Sequence, residues 1–242
     1  MLKVELHAHT ADDPLDAIPH STVQLIDRAS EMGYDALAIT LHDRQLDLGP
    51  YRSYAAGRGL TLIPGIERTI DRKHVLLLNF SRAAEDVQSF DDIAVLKRGE
   101  AGLVIAPHPF FPGGTCLRGL MDRHADLFDA VEYNAMFTAS LNFNNAAARW
   151  AGAHRKPMVG AGDVHRLRQL GTTYSLVDAP RDADAICTAI REGRVQIEAA
   201  PISWASAIGV MADLKIAEIL PPGFWQEMPE LSLTVVRRGA RH

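Results

Sequence analysis

The chain has 242 residues, 47% hydrophobic and 23% charged, with a formal net charge of −5 and a pI of about 6.0. That balance excludes a disordered chain, because it supplies enough apolar side chain for a full-sized core. It offers no basic footprint, so duplex nucleic acid is not expected as a partner, and no apolar run approaches the roughly 18 residues of a membrane span.

The first apolar run, 2–6, reads as a strand that leaves no room ahead of it for a signal peptide. Cys116 and Cys187 stand in no paired or metal-type spacing. Both features point to a cytoplasmic protein with small buried thiols. A helix follows over 21–32: Ser21 and Gln24 form a capping box, Val23, Ile26 and Ala29 lie on one side, and Gly33 suits the position after its end. Strands are predicted at 36–40, 61–66 and 74–80, the last two joined by the polar turn 68–73. A weaker helical pattern covers 89–99, a strand 102–106, a short helix 115–126, a strand 130–133, an alanine-rich helix 139–153 and a strand 157–162. Asp182 caps a helix over 182–192 that ends at Gly193. The alternation predicts an α/β fold, with parallel strands inside and helices outside, as one domain over 1–242. Beyond 204, Ile208, Met211, Leu214, Ile216 and Leu220 mark a helix and 231–236 a strand, an extension that covers the barrel or a partner subunit.

Histidines and acids end these apolar runs: His7 and His9, His42, Glu67, His108, and Asp163 with His165. Side chains at the carboxyl ends of barrel strands converge on one mouth. His7 and His9 are two residues apart, as are Asp163 and His165, so each pair faces one way on an extended chain. A carboxylate at the position of Glu67 is costly to bury unless it is paired or bound to a cation, and its two oxygens suit it to bridge two ions. His74 opens its strand and reaches the mouth only if that strand returns antiparallel. Pro107 and Pro109 stiffen the chain on either side of His108. Singly, each is an ordinary polar group of a core or turn. Together they predict a polynuclear metal site of the kind that performs hydrolysis. Of Arg44, Arg68, Arg118 and Arg166, near strand ends or in mouth loops, one or two are expected to clamp phosphate. Phe110 and Phe111 either line the pocket or pack the loop.

In chain order the motifs are His7-Ala8-His9-Thr10, Thr40-Leu41-His42-Asp43, Gly65-Ile66-Glu67, His74, Ala106-Pro107-His108-Pro109, Glu132-Tyr133-Asn134 and Gly162-Asp163-Val164-His165. Over about residues 2–200 this set resembles the PHP (polymerase and histidinol phosphatase) family. The resemblance implies a distorted (β/α)7 barrel with two or three divalent ions of zinc, manganese or iron. By position it implies His7, His9, Glu67 and Asp163 on the first ion, and Glu67, His74 and His108 on another. His42, His165 and one acid of the loop after His9 are implied for the third. Asp13 is the expected loop ligand, with Asp16 and His20 as substitutes. Leu41 stands where the family has an acid that supports the following histidine. Glu67, Asp163 and His42 are expected to carry catalysis. The interval from Glu67 to Asp163 is short and filled by barrel elements, leaving little room for the nucleotide-clamping subdomain of some relatives. The implied activity is hydrolysis of a small phosphomonoester. Hydrolysis of C–N bonds of the amidohydrolase kind, and a metal-stabilised scaffold without turnover, are the competing readings. The sequence leaves an oligomer open.

Overall fold

The structure is a computed structural model and describes residues 1–219. The expected helical position Leu220 and strand 231–236 lie outside the described residues.

Nine strands form one curled sheet, ordered β7-β6-β5-β4-β3-β2-β1-β8-β9. Seven match the predicted runs: β1 (Leu2–Glu5), β2 (Ala36–Ile39), β3 (Thr61–Ile70), β4 (Lys73–Leu78), β5 (Leu103–Ala106), β6 (Ala130–Asn134) and β7 (Met158–Ala161). β1, β2 and β3 run parallel, as do β5, β6 and β7, while β4 runs antiparallel to both neighbours. The stretch read as a long turn instead prolongs β3 to Ile70. Asp71 and Arg72 alone make the reversal, at φ 50° and 62°. Two left-handed residues are what a two-residue hairpin turn requires. Thr69 therefore pairs with His74, and His74 returns to the end of the sheet that carries Glu67.

β8 (Thr173–Val177) and β9 (Val195–Ala199) lack a continuous apolar run and escape the sequence reading; β8 pairs antiparallel with β1, and β9 with β8. These strands bring the sheet close to closure. Ser175 Oγ of β8 donates to Gly160 O of β7 at 2.9 Å. A Cβ on Gly160 would lie 2.6 Å from Tyr174 O, so this approach requires glycine. At the mouth the two ends of the barrel are laced together: His9 N donates to Val164 O at 3.0 Å and Val164 N to His7 O at 3.1 Å.

Seven helices follow among the described residues: α1 (Thr22–Glu31), α2 (Gly49–Ala56), α3 (Phe90–Gly99), α4 (Leu120–Arg123), α5 (Asn144–His154), α6 (Ala183–Arg191) and α7 (Trp204–Ile219). α1 has the expected capping box of Ser21 and Gln24, and Asp182 caps α6. The predicted helix at 115–126 is reduced to α4. α5 starts later than predicted because Thr138 and Leu141 bond to each other across a loop. Strand alternation divides the core. Val4, Leu6, Ala36, Ala38, Ile63, Leu76 and Ile105 pack with Ile186 and Ile190 of α6. Leu37, Ile39 and Leu41 pack instead on Leu25, Ile26 and Ala29 of α1. Arg191 of α6 donates to the carbonyls of Ala101 and Gly102 just before β5, so α6 covers the end of the barrel opposite the mouth. α7 lies across the mouth loops: Arg166 and Arg168 reach Asp213, and Trp204 Nε1 donates to Ser140 Oγ. No helix among the described residues is long and apolar enough to cross a membrane.

Candidate metal centre

Glu67, 1% exposed, sits at the centre of the mouth. Its Oε2 lies 3.1 Å from His7 Nε2 and 3.3 Å from Nε2 of both His9 and His42. Its Oε1 lies 2.7 Å from His74 Nδ1 and 3.3 Å from His108 Nε2. Asp163 Oδ1 stands 3.4 Å from His7 Nε2 and from His165 Nδ1, and 3.7 Å from His9 Nε2. Three overlapping groups bring their ligand atoms within 4.8 Å of one another: His7, His9 and Glu67; His42, Glu67 and His74; His9, His42 and His165. Each group could hold a metal ion. Asp43, His108 and Asp163 take left-handed backbone at φ 51°, 30° and 48°, and all three stand just past strand ends at the mouth. Such strain persists where the surroundings fix it, and it concentrates at functional sites.

A second layer turns the imidazoles. Asp13 Oδ2 lies 3.0 Å from Nδ1 of both His9 and His42 and accepts the His42 N–H at 2.9 Å. Asp13 Oδ1 accepts from Leu15 N and Asp16 N. Both oxygens are therefore occupied by protein groups, and Asp13 stands behind the histidines rather than among the ligand atoms expected of it. Asp16 takes the forward place, with Oδ2 3.2 Å from His165 Nε2. His20 Nε2 lies 2.9 Å from the carbonyl of His9, and burial first of all pushes its pKa down to about 3, so it is a neutral prop. Glu132 Oε2 lies 3.0 Å from His7 Nδ1, while Asn134 Nδ2 donates to Glu132 Oε1 and to Asp163 Oδ2. Cys116 Sγ lies 3.5 Å from His108 Nδ1. The roles of Glu132 and Cys116 escape the sequence reading. Glu132 carries the same signal as Glu67, an acid ending an apolar run, whereas nothing in the local sequence ties Cys116 to His108.

The electrostatics fit a cation. Burial favours the neutral form of Glu67 and Asp163, but the surrounding imidazoles hold both carboxyls well below the ordinary range. Burial likewise opposes charge on His7, His9 and His108. The neighbouring Asp163, Asp13 and Glu67 carboxylates, and Cys116 at His108, nevertheless hold all three well above the ordinary value. Carboxylates and imidazoles thus stabilise charge on one another at this buried centre, and a bound cation would take over the place of the ring protons. His9 Nε2, buried without a hydrogen bond, points into the centre. Carboxylate and imidazole donors suit a divalent metal ion, and the far ring nitrogens are held as those of metal-binding histidines are.

Two of the expected arginines have protein partners. Arg68 donates to Val87 O and pairs with Asp43 at 2.9 Å, and Arg166 donates to His165 O and faces Asp213. Both hold loops and α7 in this arrangement. Arg44 is exposed. Phe110 packs on the core cluster, and Phe111 meets the Phe143 ring at 5.3 Å between centroids.

Comparison with known proteins places this geometry. Residues 142–195 match the family model described as PHP-associated. No curated protein matches the chain. A two-domain protein containing a predicted PHP-like metal-dependent phosphoesterase from Bacteroides vulgatus superposes with a TM-score of 0.64 at 19% identity, covering 88% of this chain and 69% of that one. An amidohydrolase from Chromobacterium violaceum gives 0.58 at 16%, covering 81% and 98%. The lesion-specific endonuclease Q of Pyrococcus furiosus gives 0.56 at 15%, covering 87% and 66%. At such identities the likeness establishes the fold, a PHP-type barrel. Endonuclease Q is also similar in its complex with a 27-mer duplex bearing an abasic lesion at the active site, with a TM-score of 0.55. That finding overturns the expectation that duplex nucleic acid is no partner. Net charge averages over the whole surface, whereas the field at such a mouth is set by bound cations.

Proposed function

We propose that this chain, a member of the PHP family, is a metal-dependent hydrolase, and that its reaction is hydrolysis of a small phosphomonoester. One observation carries the reading: the two oxygens of Glu67 face separate sets of imidazoles, as a carboxylate bridging two cations requires. His7, His9, Glu67 and Asp163 would hold one ion, and Glu67, His74 and His108 a second. His42, His165 and Asp16 would hold a third, with Asp16 taking the place first given to Asp13. When bound, such ions supply Lewis acidity and lower the pKa of a coordinated water to near neutrality. Glu67 is sealed from solvent. The Asp163 side chain is 24% exposed and would orient an incoming water. Asp13, Glu132 and Cys116 keep the imidazoles turned toward the centre.

The amidohydrolase of the same fold supports a second reading, C–N hydrolysis, and endonuclease Q supports a third, phosphodiester cleavage. A panel of phosphomonoesters, phosphodiesters, amides and an abasic-site duplex, each with Mn²⁺, Zn²⁺ or Fe²⁺, separates them. The expected result is turnover of phosphomonoesters. Turnover confined to amides or to the duplex would overturn the reading.

A further inference from the structure

We infer that Glu5, which lies outside the ligand set, is a positioning residue that fixes the distance between His7 and Asp163; the inference rests on the metal reading above. The Glu5 side chain is fully buried. Its Oε1 accepts the N–H groups of Leu6 and His7 at 3.1 Å each, and that of Gly162 at 2.8 Å. Two of these donors belong to the strand end that presents His7. The third belongs to the residue before Asp163. One oxygen thus gathers the first and last motifs of the chain at a point where the barrel closes. Without it, three buried N–H groups lose their acceptor, and each would have to find another.

The other oxygen, Oε2, makes no hydrogen bond. A buried carboxyl group that leaves one oxygen unpaired is a poor choice for filling a core. Its value lies in the three N–H groups it collects. Gly162 makes room for it: a Cβ there would lie 2.9 Å from Glu5 Oε2 and 2.6 Å from Val164 Cγ2. The clasp can therefore be opened from either side, by shortening Glu5 or by adding a methyl group at 162.

The test uses the full chain loaded with Mn²⁺. Bound ions are counted by elemental analysis, the chelator concentration that strips each is measured, and folding is followed by circular dichroism. Glu5→Gln keeps a carbonyl acceptor and should keep the wild-type ion content. Glu5→Ala should lose the ion on His7, His9 and Asp163 at about tenfold less chelator, or more, in the range seen when supporting groups of metal ligands are removed. The ion on His74 and His108 should stay. Gly162→Ala should reproduce that selective loss, and it decides the matter if Glu5→Ala does not fold. Variants that hold their ions as wild type does, or that lose all ions alike, overturn the inference. Wild type that binds no ion overturns the metal reading itself, and the inference with it.

Discussion

Asp13 Oδ2 lies 3.0 Å from His42 Nδ1 and also accepts the His42 backbone N–H at 2.9 Å. One carboxylate oxygen thereby fixes both the ring and the chain of a residue whose own neighbour cannot help. Leu41, where the family pattern has an acid, is buried against α1 instead. Support for His42 comes from the loop after β1.

Asp13 and Asp16 should separate cleanly on mutation. Asp13→Ala removes the support of two imidazoles, so it should lower metal affinity about 10- to 100-fold without abolishing any one site. Asp16→Ala should lower the ion count by one while leaving the remaining ions as tightly held. Elemental analysis with chelator titration reads both. A lost ion in Asp13→Ala together with a full complement in Asp16→Ala would return Asp13 to the ligand set.

Glu67→Gln should remove more metal than any single histidine substitution, and most of the activity with it. The amide keeps one oxygen, and its NH2 group cannot ligate a cation. Five imidazoles would then surround a neutral group in a buried place. Ion content at or near that of wild type would show that Glu67 does not bridge.

Cys187 lies far from this chemistry, in α6, and burial pushes its thiol up to about 12 from the ordinary value of 9.0. The folded state therefore holds the proton more tightly than the unfolded state. The stability this contributes is fully present below pH 9 and is lost as pH rises toward about 12, at up to about 1.4 kcal/mol per pH unit. Cys187→Ala should flatten the alkaline limb of stability against pH, measured by urea unfolding. Iodoacetamide at pH 8 should leave Cys187 unmodified until the protein unfolds. An unchanged alkaline slope in the variant, or rapid labelling of the native chain, would contradict the shift.

Much of the barrel was legible because its strands are apolar runs such as 36–39 and 103–106, and because Ser21 and Asp182 cap helices in the usual way. β9 was not: its Gln196 and Glu198 face solvent at the edge of the sheet, so no apolar period marks it. α2 is short and weakly patterned. The convergence of His7, His42, Glu67 and Asp163 could be anticipated from strand ends, since topology alone brings those ends together. Which oxygen supports which ring could not. Asp13 and Asp16 are three residues apart in one acidic loop, and only its folded path puts one behind His9 and the other beside His165. The partners of Arg68 and Arg166, namely Asp43, Val87 and Asp213, are likewise set by packing and not by spacing.

The β3–β4 hairpin divides the order in which such a centre can assemble. Glu67 and His74 belong to one tight hairpin and can meet as soon as Asp71 and Arg72 turn. His7 and Asp163 come from opposite ends of the barrel and meet only when β1 and β7 are laced at the mouth. Bringing distant chain segments together carries the larger entropic cost and sets the pace of folding. The wall that carries His74 and Glu67 is thus local in the chain, while the opposite wall exists only once the whole barrel is in place.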